Sequence, residues 1–376
     1  MSACGRAEIQ SVGLARSAWY EDSLAGVWAD SVLRTLTLRE RIAQSFILSA
    51  YSNKDGAYEE RLREEVQRYG VGGVIFFQGT AAQQARLING LQAVSKVPLL
   101  VAMDAEWGLG MRLEDAIEYP RAMAYGATGE PRYAYRLGMD LAMQMRRLGV
   151  HVNFAPVVDI NVDGDNPVIG VRAYGDEEVT VEAFARAYAL GLEQHGVMAC
   201  LKHFPGHGNT RVDSHKGLPR LAASLKELED VELKPFRALS REVSMIMLAH
   251  MDVPAITGSR TGLPTSLSPM SVNLLRDSFN FKGLICTDAL NMQGAVAGKK
   301  AWQVNCMAYE AGVDLLLCVE KAEETLDRIE QLVKNGSIDT SSVNERAKRI
   351  LRAKYSFVNA HPAEVQLNNL YEDLHR

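Results

Sequence analysis

Eight short apolar runs recur along almost the whole chain, and each is followed by a longer segment whose charged residues repeat with a helical period. This alternation is typical of parallel strands joined by crossover helices. The runs are continuously apolar, as expected for strands that are covered on both faces. Because eight such strands favour closure, the predicted fold class is α/β, a single-domain (β/α)8 TIM-like barrel. The predicted strands lie at residues 46–49, 73–77, 99–103, 152–156, 199–203, 245–250, 283–287 and 314–319.

Helix signals fall between these runs and suggest the domain limits. Thr37 and Glu40 have the spacing of a capping box, and Pro131 suits the first turn of a helix that carries Leu137 and Leu141. We expect an N-terminal extension at residues 1–30, a catalytic barrel at residues 31–357 and a polar C-terminal tail at residues 358–376.

Charge and hydropathy narrow the class of ligand. The 376 residues include 41 Lys and Arg against 46 Asp and Glu, a net charge of -5, which does not suit a nucleic-acid partner. No run approaches the ~20 apolar residues that span a bilayer, so no membrane-spanning segment is expected. A neutral or weakly charged small molecule is the better default ligand, and the sequence leaves the oligomeric state open.

The localisation also stays open. The first residues lack the apolar core of a signal peptide, which favours the cytoplasm. Ser2 and Ala3 before Cys4 also match the end of a lipoprotein signal, so a periplasmic protein or a lipoprotein with a trimmed signal is the alternative. The five cysteines are widely spaced and favour buried free thiols over a disulfide framework.

Polar residues end six of the apolar runs. In a barrel of this kind the strand ends meet at one mouth, where active sites lie. A mouth rich in Asp, His and Lys suits a ligand with many hydroxyl groups. The polar residues that end these runs are Asp104, Glu106, Asn153, Asp159, Lys202, His203, His207, His250, Asp252, Asp288 and Glu320.

The segment KHFPGHGNTRVDSH at residues 202–215 is the densest in functional side chains. His203 and His207 have the spacing of a helical zinc pair, but Pro205 and Gly206 disfavour a helix there, so no metal is expected. Asp213 can orient His215 and tune it for proton transfer. Asp288 after the seventh run is a helix cap or a nucleophile, since glycoside hydrolysis pairs a nucleophile with a proton donor.

These motifs resemble glycoside hydrolase family 3, in its single-domain β-N-acetylglucosaminidase (β-hexosaminidase) branch. The resemblance rests on the segment above, on DAEWGLGMR at residues 104–112, on VNFAPVVD at 152–159, on NPVIGVR at 166–172 and on TDALNM at 287–292. It implies that the partner is a small carbohydrate substrate and that the chain is a retaining hydrolase. This hydrolase would release non-reducing terminal β-linked N-acetylglucosamine, often from peptidoglycan fragments, and no cofactor is implied. The form of the 104–108 block resembles Bacteroidetes-type relatives.

The resemblance also implies a role for each matching residue. Asp288 would be the nucleophile, His215 the general acid/base and Asp213 its partner. The residues that would hold the hydroxyl groups of the sugar are Asp104, Arg112, Arg172, Lys202 and His203. Alternatives are β-glucosidase or β-xylosidase activity, phosphorolysis at the same site, or a non-catalytic sugar-binding barrel.

Overall fold

The computed structural model describes residues 17–164, 166–210, 217–258, 262–296, 298–359 and 364–376. Its described part contains eight strands, one for each predicted run, so the strand prediction is confirmed. The strands are β1 (Phe46–Ala50), β2 (Gly73–Phe76), β3 (Leu100–Met103), β4 (Val152–Asn153), β5 (Met198–Phe204), β6 (Met245–Leu248), β7 (Leu284–Thr287) and β8 (Leu316–Leu317).

The strands form one parallel sheet in the order β7-β6-β5-β4-β3-β2-β1-β8. The sheet closes between its two ends, because Cys286 forms a bridge with Leu315 and the Thr287 amide donates to the Leu315 carbonyl at 3.0 Å. Closure removes both sheet edges and brings all eight carboxyl ends to one mouth. The predicted α/β fold class with a (β/α)8 barrel is therefore confirmed.

Helices surround the strands and cover the outer face of the sheet. Within the described residues they are α1 (Ser23–Thr35), α2 (Leu38–Ala43), α3 (Gly56–Tyr69), α4 (Ala81–Val94), α5 (Ala122–Gly126), α6 (Pro131–Arg147), α7 (Glu178–Gln194), α8 (Leu225–Asp230), α9 (Lys234–Leu239), α10 (Pro254–Thr257), α11 (Pro269–Asn273), α12 (Gln293–Val296), α13 (Ala301–Glu310), α14 (Ala322–Lys334), α15 (Thr340–Ala353) and α16 (Leu370–Leu374).

Local sequence signals set several of these helix ends. The predicted capping box is present, since the Thr37 side chain accepts from the Glu40 amide and the Glu40 side chain accepts from the Thr37 amide. Pro131 occupies the first turn of α6, also as predicted. The α3 helix ends at Gly70, whose φ of 64° lies in the left-handed region that glycine adopts without strain.

The barrel has apolar layers on both sides of the strands, which explains the continuous apolar runs. Ile47 and Ile75 point into the barrel, whereas Phe46, Leu48 and Phe76 pack against the surrounding helices. Successive side chains of a strand point to opposite faces, so both sets are buried. The strands are thereby fixed in position, and the polar residues that follow them are held at the mouth.

The two ends of the described chain pack against the outer helices. Ala25 and Ala29 of α1 are buried where this helix meets α15. Leu370 and Leu374 of α16 are buried against α4 and α6. The domain limits between residues 30 and 31 and between residues 357 and 358 stay predictions. Within the described ranges, no helix has both the length and the hydropathy that a membrane crossing requires.

Lys354, just after α15, is fully buried, and its ammonium nitrogen lies 2.7 Å from Gln44 Oε1. Burial without a carboxylate partner lowers the pKa of this amine from 10.5 to about 7. The unfolded chain therefore binds more protons than the folded chain between these two pH values, and stability rises with pH across that window. The full cost of burying the amine is present below the folded pKa and disappears above the unfolded pKa.

We predict that Lys354→Met stabilises the protein at neutral pH. At pH 7, where the folded amine is about half protonated, the two pKa values correspond to a cost of about 4 kcal/mol. The unpaired Gln44 oxygen takes back about 2 kcal/mol, so the free energy of unfolding should rise by about 2 kcal/mol. Urea unfolding at pH 7 and at pH 10.5 measures this. An equal gain at both pH values would contradict the assignment of the effect to protonation.

Candidate active site

The candidate site lies where the ends of β3, β5 and β7 meet at the mouth of the barrel. The β3 end supplies Asp104 and Glu106, and β5 supplies Lys202 and His203. Asp288 directly follows β7. Arg112 and Arg172, from the loops, form ion pairs with Asp104 and Glu106. All the site residues predicted from the sequence that the structure describes therefore lie together at this mouth.

Lys202 lies at the centre of an ion network. Its ammonium group is 2.9 Å from Asp104 Oδ1 and 2.7 Å from Glu106 Oε1, and its side chain is 3% exposed. A buried ammonium group without partners would be very costly, so the two carboxylates are needed to keep it charged. The network therefore fixes the positions of all three side chains.

Two arginines complete this network from the loops. Arg172 forms a bidentate pair with Glu106, with Nε at 2.9 Å from Oε2 and Nη2 at 2.6 Å from Oε1. Arg112 Nη2 donates to Asp104 Oδ2 at 2.5 Å. Bidentate guanidinium pairs are directional as well as strong, so they set the angle of the carboxylate. The guanidinium groups keep further N–H donors that can meet sugar hydroxyls.

The charges of the network control the protonation of its members. Burial would raise the pKa of the Asp104 carboxyl, but Lys202 and Arg112 outweigh it and hold that pKa below its ordinary value. The same balance, with Lys202 and Arg172 as the cations, places the pKa of Glu106 well below its usual range. Burial would lower the pKa of Lys202, yet the two carboxylates raise it. Glu106 is therefore an anion at neutral pH and does not serve as a proton donor.

His203 is held by the carboxylate of Asp159, which lies on the loop after β4. Its Nδ1 lies 2.7 Å from Asp159 Oδ2, and its Nε2 lies 3.4 Å from Arg172 Nη2. Asp159 is fully buried and also accepts from the backbone amides of His203 and His207. A carboxylate on Nδ1 orients the ring and leaves Nε2 at the site. With Nδ1 donating to Asp159, Nε2 can accept a hydrogen bond from a hydroxyl group of a ligand.

His207 is 1% exposed and lies beside His203, with ring centroids 6.1 Å apart. Its Nδ1 lies 2.5 Å from Thr210 Oγ1, and that hydroxyl also donates to the His207 carbonyl. Because a hydroxyl has one hydrogen to donate, Nδ1 is the donor in their contact. Burial lowers the pKa of His207 although Asp159 opposes this. His207 is thus a neutral, buried ring that supports the loop after β5.

Asp288 is a buried carboxylate that stays ionised. Burial would raise its pKa, but His250 and His203, together with the Ala289 amide and Lys202, lower it below the ordinary value. The Ala289 amide donates to Oδ1 at 2.7 Å. An ionised carboxylate at the carboxyl end of a barrel strand, next to this network of cations and carboxylates, has the chemistry of a nucleophile that attacks an anomeric carbon.

The two residues of the predicted acid/base dyad, Asp213 and His215, lie outside the described residues. Trp107, in the DAEWGLGMR segment, has the Arg121 guanidinium carbon 3.6 Å from its ring centroid. One face of the indole is therefore occupied by a cation. Glu320 is exposed at the end of β8.

Two functional contributions were missed by reasoning from the sequence. Glu106 is the anion that Lys202 and Arg172 share, and Asp159 orients His203. Glu106 and Asp159 are polar residues that follow apolar runs, so the sequence predicts that they lie near the mouth of the barrel. Their partners come from other strands, and spacing along the chain does not reveal such contacts.

Comparison with known proteins identifies the family. Residues 37–353 match the glycosyl hydrolase family 3 N-terminal domain. Beta-hexosaminidase LpqI of Mycobacterium tuberculosis is 33% identical over 332 residues, covering 85% of this chain and 83% of that protein. The chain therefore belongs to glycosyl hydrolase family 3. This confirms the predicted family and the predicted class of enzyme, a glycosidase.

Two further similarities bear on the extent of the match. Beta-hexosaminidase A of Pseudoalteromonas piscicida is 30% identical over 326 residues, which cover 78% of this chain and 54% of that protein. The solved structure of a family 3 beta-N-acetylglucosaminidase from Paenibacillus sp. superposes with a TM-score of 0.80 at 32% identity, covering 91% of this chain and 68% of that chain. The chain thus spans about half the length of one relative and most of the other.

We predict that Glu106→Gln destabilises the fold and weakens substrate binding. The change leaves Lys202 and Arg172 with less compensating charge in a buried site, so the free energy of unfolding should fall by about 3 kcal/mol. Urea unfolding and the KM for an N-acetylglucosaminide are the measurements, and KM should rise.

A matched control is Glu182→Gln, which removes one partner of the more exposed Arg186 pair on α7. Exposed pairs contribute about 0–1 kcal/mol, so this variant should unfold almost like the original protein. Equal losses in the two variants would show that the buried network has no special role in stability.

Proposed function

We propose that this chain is a retaining β-N-acetylglucosaminidase that releases a non-reducing terminal β-linked N-acetylglucosamine through a glycosyl-aspartate intermediate. The observation that carries the proposal is the buried, ionised Asp288 beside a carboxylate and cation network at the barrel mouth. Relatives named beta-hexosaminidase support the choice of sugar.

In the first step, a carboxylate oxygen of Asp288 bonds to the anomeric carbon while the bond to the leaving oxygen breaks. The low pKa of Asp288 keeps the attacking group ionised at neutral pH. The Ala289 amide holds Oδ1 and so fixes the plane of the carboxylate. The leaving oxygen must receive a proton, and the second step must remove a proton from the attacking water.

We assign both proton transfers to His215, with Asp213 as the carboxylate that orients it. This assignment rests on the family resemblance of the DSH segment and on the chemistry of an imidazole next to a carboxylate. The described site offers poor substitutes. Glu106 is held ionised by Lys202 and Arg172, and His207 is buried with a lowered pKa.

The sugar hydroxyls would be held by Asp104, Arg112, Arg172, Lys202 and His203. These side chains are already fixed by one another, so little rotamer entropy is lost on binding. Charge-assisted hydrogen bonds to hydroxyls are stronger than neutral ones and are placed where an oxocarbenium-like transition state needs support.

The proposal is tested by the hydrolysis of chromogenic β-N-acetylglucosaminide, β-glucoside and β-xyloside. Preference for the first, with the β-anomer of the free sugar as the initial product by NMR, supports it. Preference for a glucoside or xyloside would overturn the choice of sugar. Release of a sugar phosphate when inorganic phosphate is added would replace hydrolysis by phosphorolysis.

We predict that Asp288→Ala lowers kcat at least 1,000-fold, because the covalent step loses its nucleophile. The fold should persist, because Lys202, Arg112 and Arg172 keep their hydrogen bonds to the carboxylates of Asp104 and Glu106 in this variant. Steady-state kinetics and a urea unfolding curve measure the two effects. A 2-fluoro glycoside should label the peptide that contains Thr287 and Asp288 in the unmodified enzyme, and labelling elsewhere would move the nucleophile.

We predict that His215→Ala impairs substrates with poor leaving groups far more than aryl glycosides with acidic phenols. A good leaving group needs little proton assistance, so its kcat/KM should fall about tenfold while that of a chitooligosaccharide falls at least 100-fold. Asp213→Ala should show a milder form of the same pattern. If both variants slow all substrates equally, these residues do not act as the acid/base pair.

A further inference from the structure

His250 is a polar residue at the mouth of the barrel that the proposed mechanism leaves without a role. It lies two residues after β6, and β6 is the neighbour of β7, the strand that Asp288 follows. Its side chain is 0% exposed, whereas that of His203 is 7% exposed. A buried histidine needs partners for its ring nitrogens, because an unpaired polar atom in the interior is costly. The partners of the two nitrogens therefore show what this residue does.

Both ring nitrogens of His250 contact other segments of the chain. Nε2 lies 2.9 Å from the carbonyl oxygen of Ala289, and Nδ1 lies 2.6 Å from Ser266 Oγ. A carbonyl oxygen can only accept, so Nε2 is the nitrogen that carries the hydrogen. The hydroxyl of Ser266 can donate to Nδ1 of a neutral ring or accept from Nδ1 of a charged ring. The contact with Ala289 is therefore the same in both protonation states.

Ser266 orients the imidazole, and its own segment is tied to the end of β6. The Ser266 amide donates to the Ala249 carbonyl at 3.2 Å, and Thr265 Oγ1 donates to the same carbonyl at 2.6 Å. The Thr265 amide donates to the Met251 carbonyl at 2.8 Å. Thr265 and Ser266 are both fully buried. The hydroxyl that holds Nδ1 is thus fixed relative to the backbone of His250, so the ring is fixed as well.

The contact with Ala289 acts on the segment that carries the proposed nucleophile. The Asp288 amide donates to the Leu248 carbonyl at the end of β6, at 2.9 Å. The Ala289 amide donates to Asp288 Oδ1 at 2.7 Å, and the Ala289 carbonyl meets His250. The Met292 amide also donates to that carbonyl, at 3.1 Å. His250 therefore holds the residue whose amide sets the direction of the Asp288 carboxylate.

The imidazole also acts on Asp288 through charge. Burial raises the pKa of the Asp288 carboxyl, and His250 opposes this together with His203 and Lys202. Hydrogen bonding and electrostatics thus link the same two residues, His250 and Asp288.

We propose that His250 is a positioning residue for the nucleophilic step, in which its Nε2–H holds Ala289 and so aims the carboxylate of Asp288 at the anomeric carbon. The inference rests on the proposed function, because it takes Asp288 as the nucleophile. The step that depends on this aim is the one in which a carboxylate oxygen bonds to the anomeric carbon and the bond to the leaving group breaks. His250 is fully buried and both its nitrogens are engaged, so it does not touch the sugar. Its loss should lower kcat and leave KM nearly unchanged.

Two variants of similar size separate the two nitrogens. In His250→Gln the side-chain amide nitrogen can take the place of Nε2, so the contact with Ala289 is kept. In His250→Asn the shorter amide reaches only the place of Nδ1, so the contact with Ser266 is kept and that with Ala289 is lost. A misplacement of about 1 Å costs about 100-fold in rate, so kcat should fall about 100-fold in His250→Asn and less than about tenfold in His250→Gln.

The attack itself is measured by the rate at which 5-fluoro-N-acetylglucosaminyl fluoride labels Asp288. This slow substrate keeps the 2-acetamido group, and its fluoride leaves with little proton assistance, so the rate depends little on His215. The labelling rate should fall in His250→Asn and be largely kept in His250→Gln.

His151→Gln is the control for a loss of stability. His151 is also buried, at 3% exposed, but it precedes β4 at the opposite end of the barrel, where its Nδ1 accepts from the Val101 amide at 3.0 Å. This variant should lower the free energy of unfolding in urea without slowing the labelling of Asp288.

A labelling rate in His250→Asn that equals or exceeds the rate in His250→Gln would overturn the proposal. If either variant does not fold, Ser266→Ala decides, because it removes the hydroxyl that orients the ring. Slower labelling with an unchanged KM in Ser266→Ala supports the proposal, and an unchanged rate overturns it. An original enzyme that is not labelled at Asp288 would instead overturn the proposed function.

Discussion

The ammonium group of Lys202 is the charge on which the candidate active site depends. It is almost fully buried, so it requires the two carboxylates of Asp104 and Glu106. Those carboxylates are buried as well. One ammonium group cannot neutralise two carboxylates, so Arg112 pairs with Asp104 and Arg172 pairs with Glu106. Asp159 adds a third buried carboxylate, which pairs with His203 and acts on Arg172. The network also acts on Asp288, whose pKa is lowered by His250, His203 and Lys202.

The barrel holds this network in position. Asp104 and Glu106 flank Ala105, whose amide is bound by Asn153 Oδ1 at 3.0 Å and whose carbonyl accepts from Asn153 Nδ2 at 3.2 Å. Asn153 ends β4, so two neighbouring strands are tied together at the point where the carboxylates emerge. The strands below the site are buried on both faces and tightly packed. The side chains at their ends are therefore held in position before a ligand binds.

The sequence predicted the parts of the molecule that depend on local pattern. Strands buried on both faces give continuous apolar runs, and polar residues after those runs mark the mouth, which is why Asp104, Lys202 and Asp288 could be named. Contacts between strands were not predictable, as Glu106 and Asp159 illustrate. Lys354 was also missed, because a lysine at the end of an amphipathic helix normally reaches solvent. Its burial depends on how the helix end packs beside Gln44.

The proposed nucleophile, Asp288, and the carboxylates around Lys202 are stabilised in different ways. Asp104 and Glu106 accept short hydrogen bonds from cations, which hold these carboxylates but also occupy their oxygens. The hydrogen bond to the side chain of Asp288 within the described residues comes from the Ala289 amide, and charges that are not hydrogen-bonded to it lower its pKa further. Charge at a distance keeps a carboxylate ionised without occupying the oxygen that must form a bond. A nucleophile held by direct ion pairs would be equally ionised, but it would have to break one of them before it could attack.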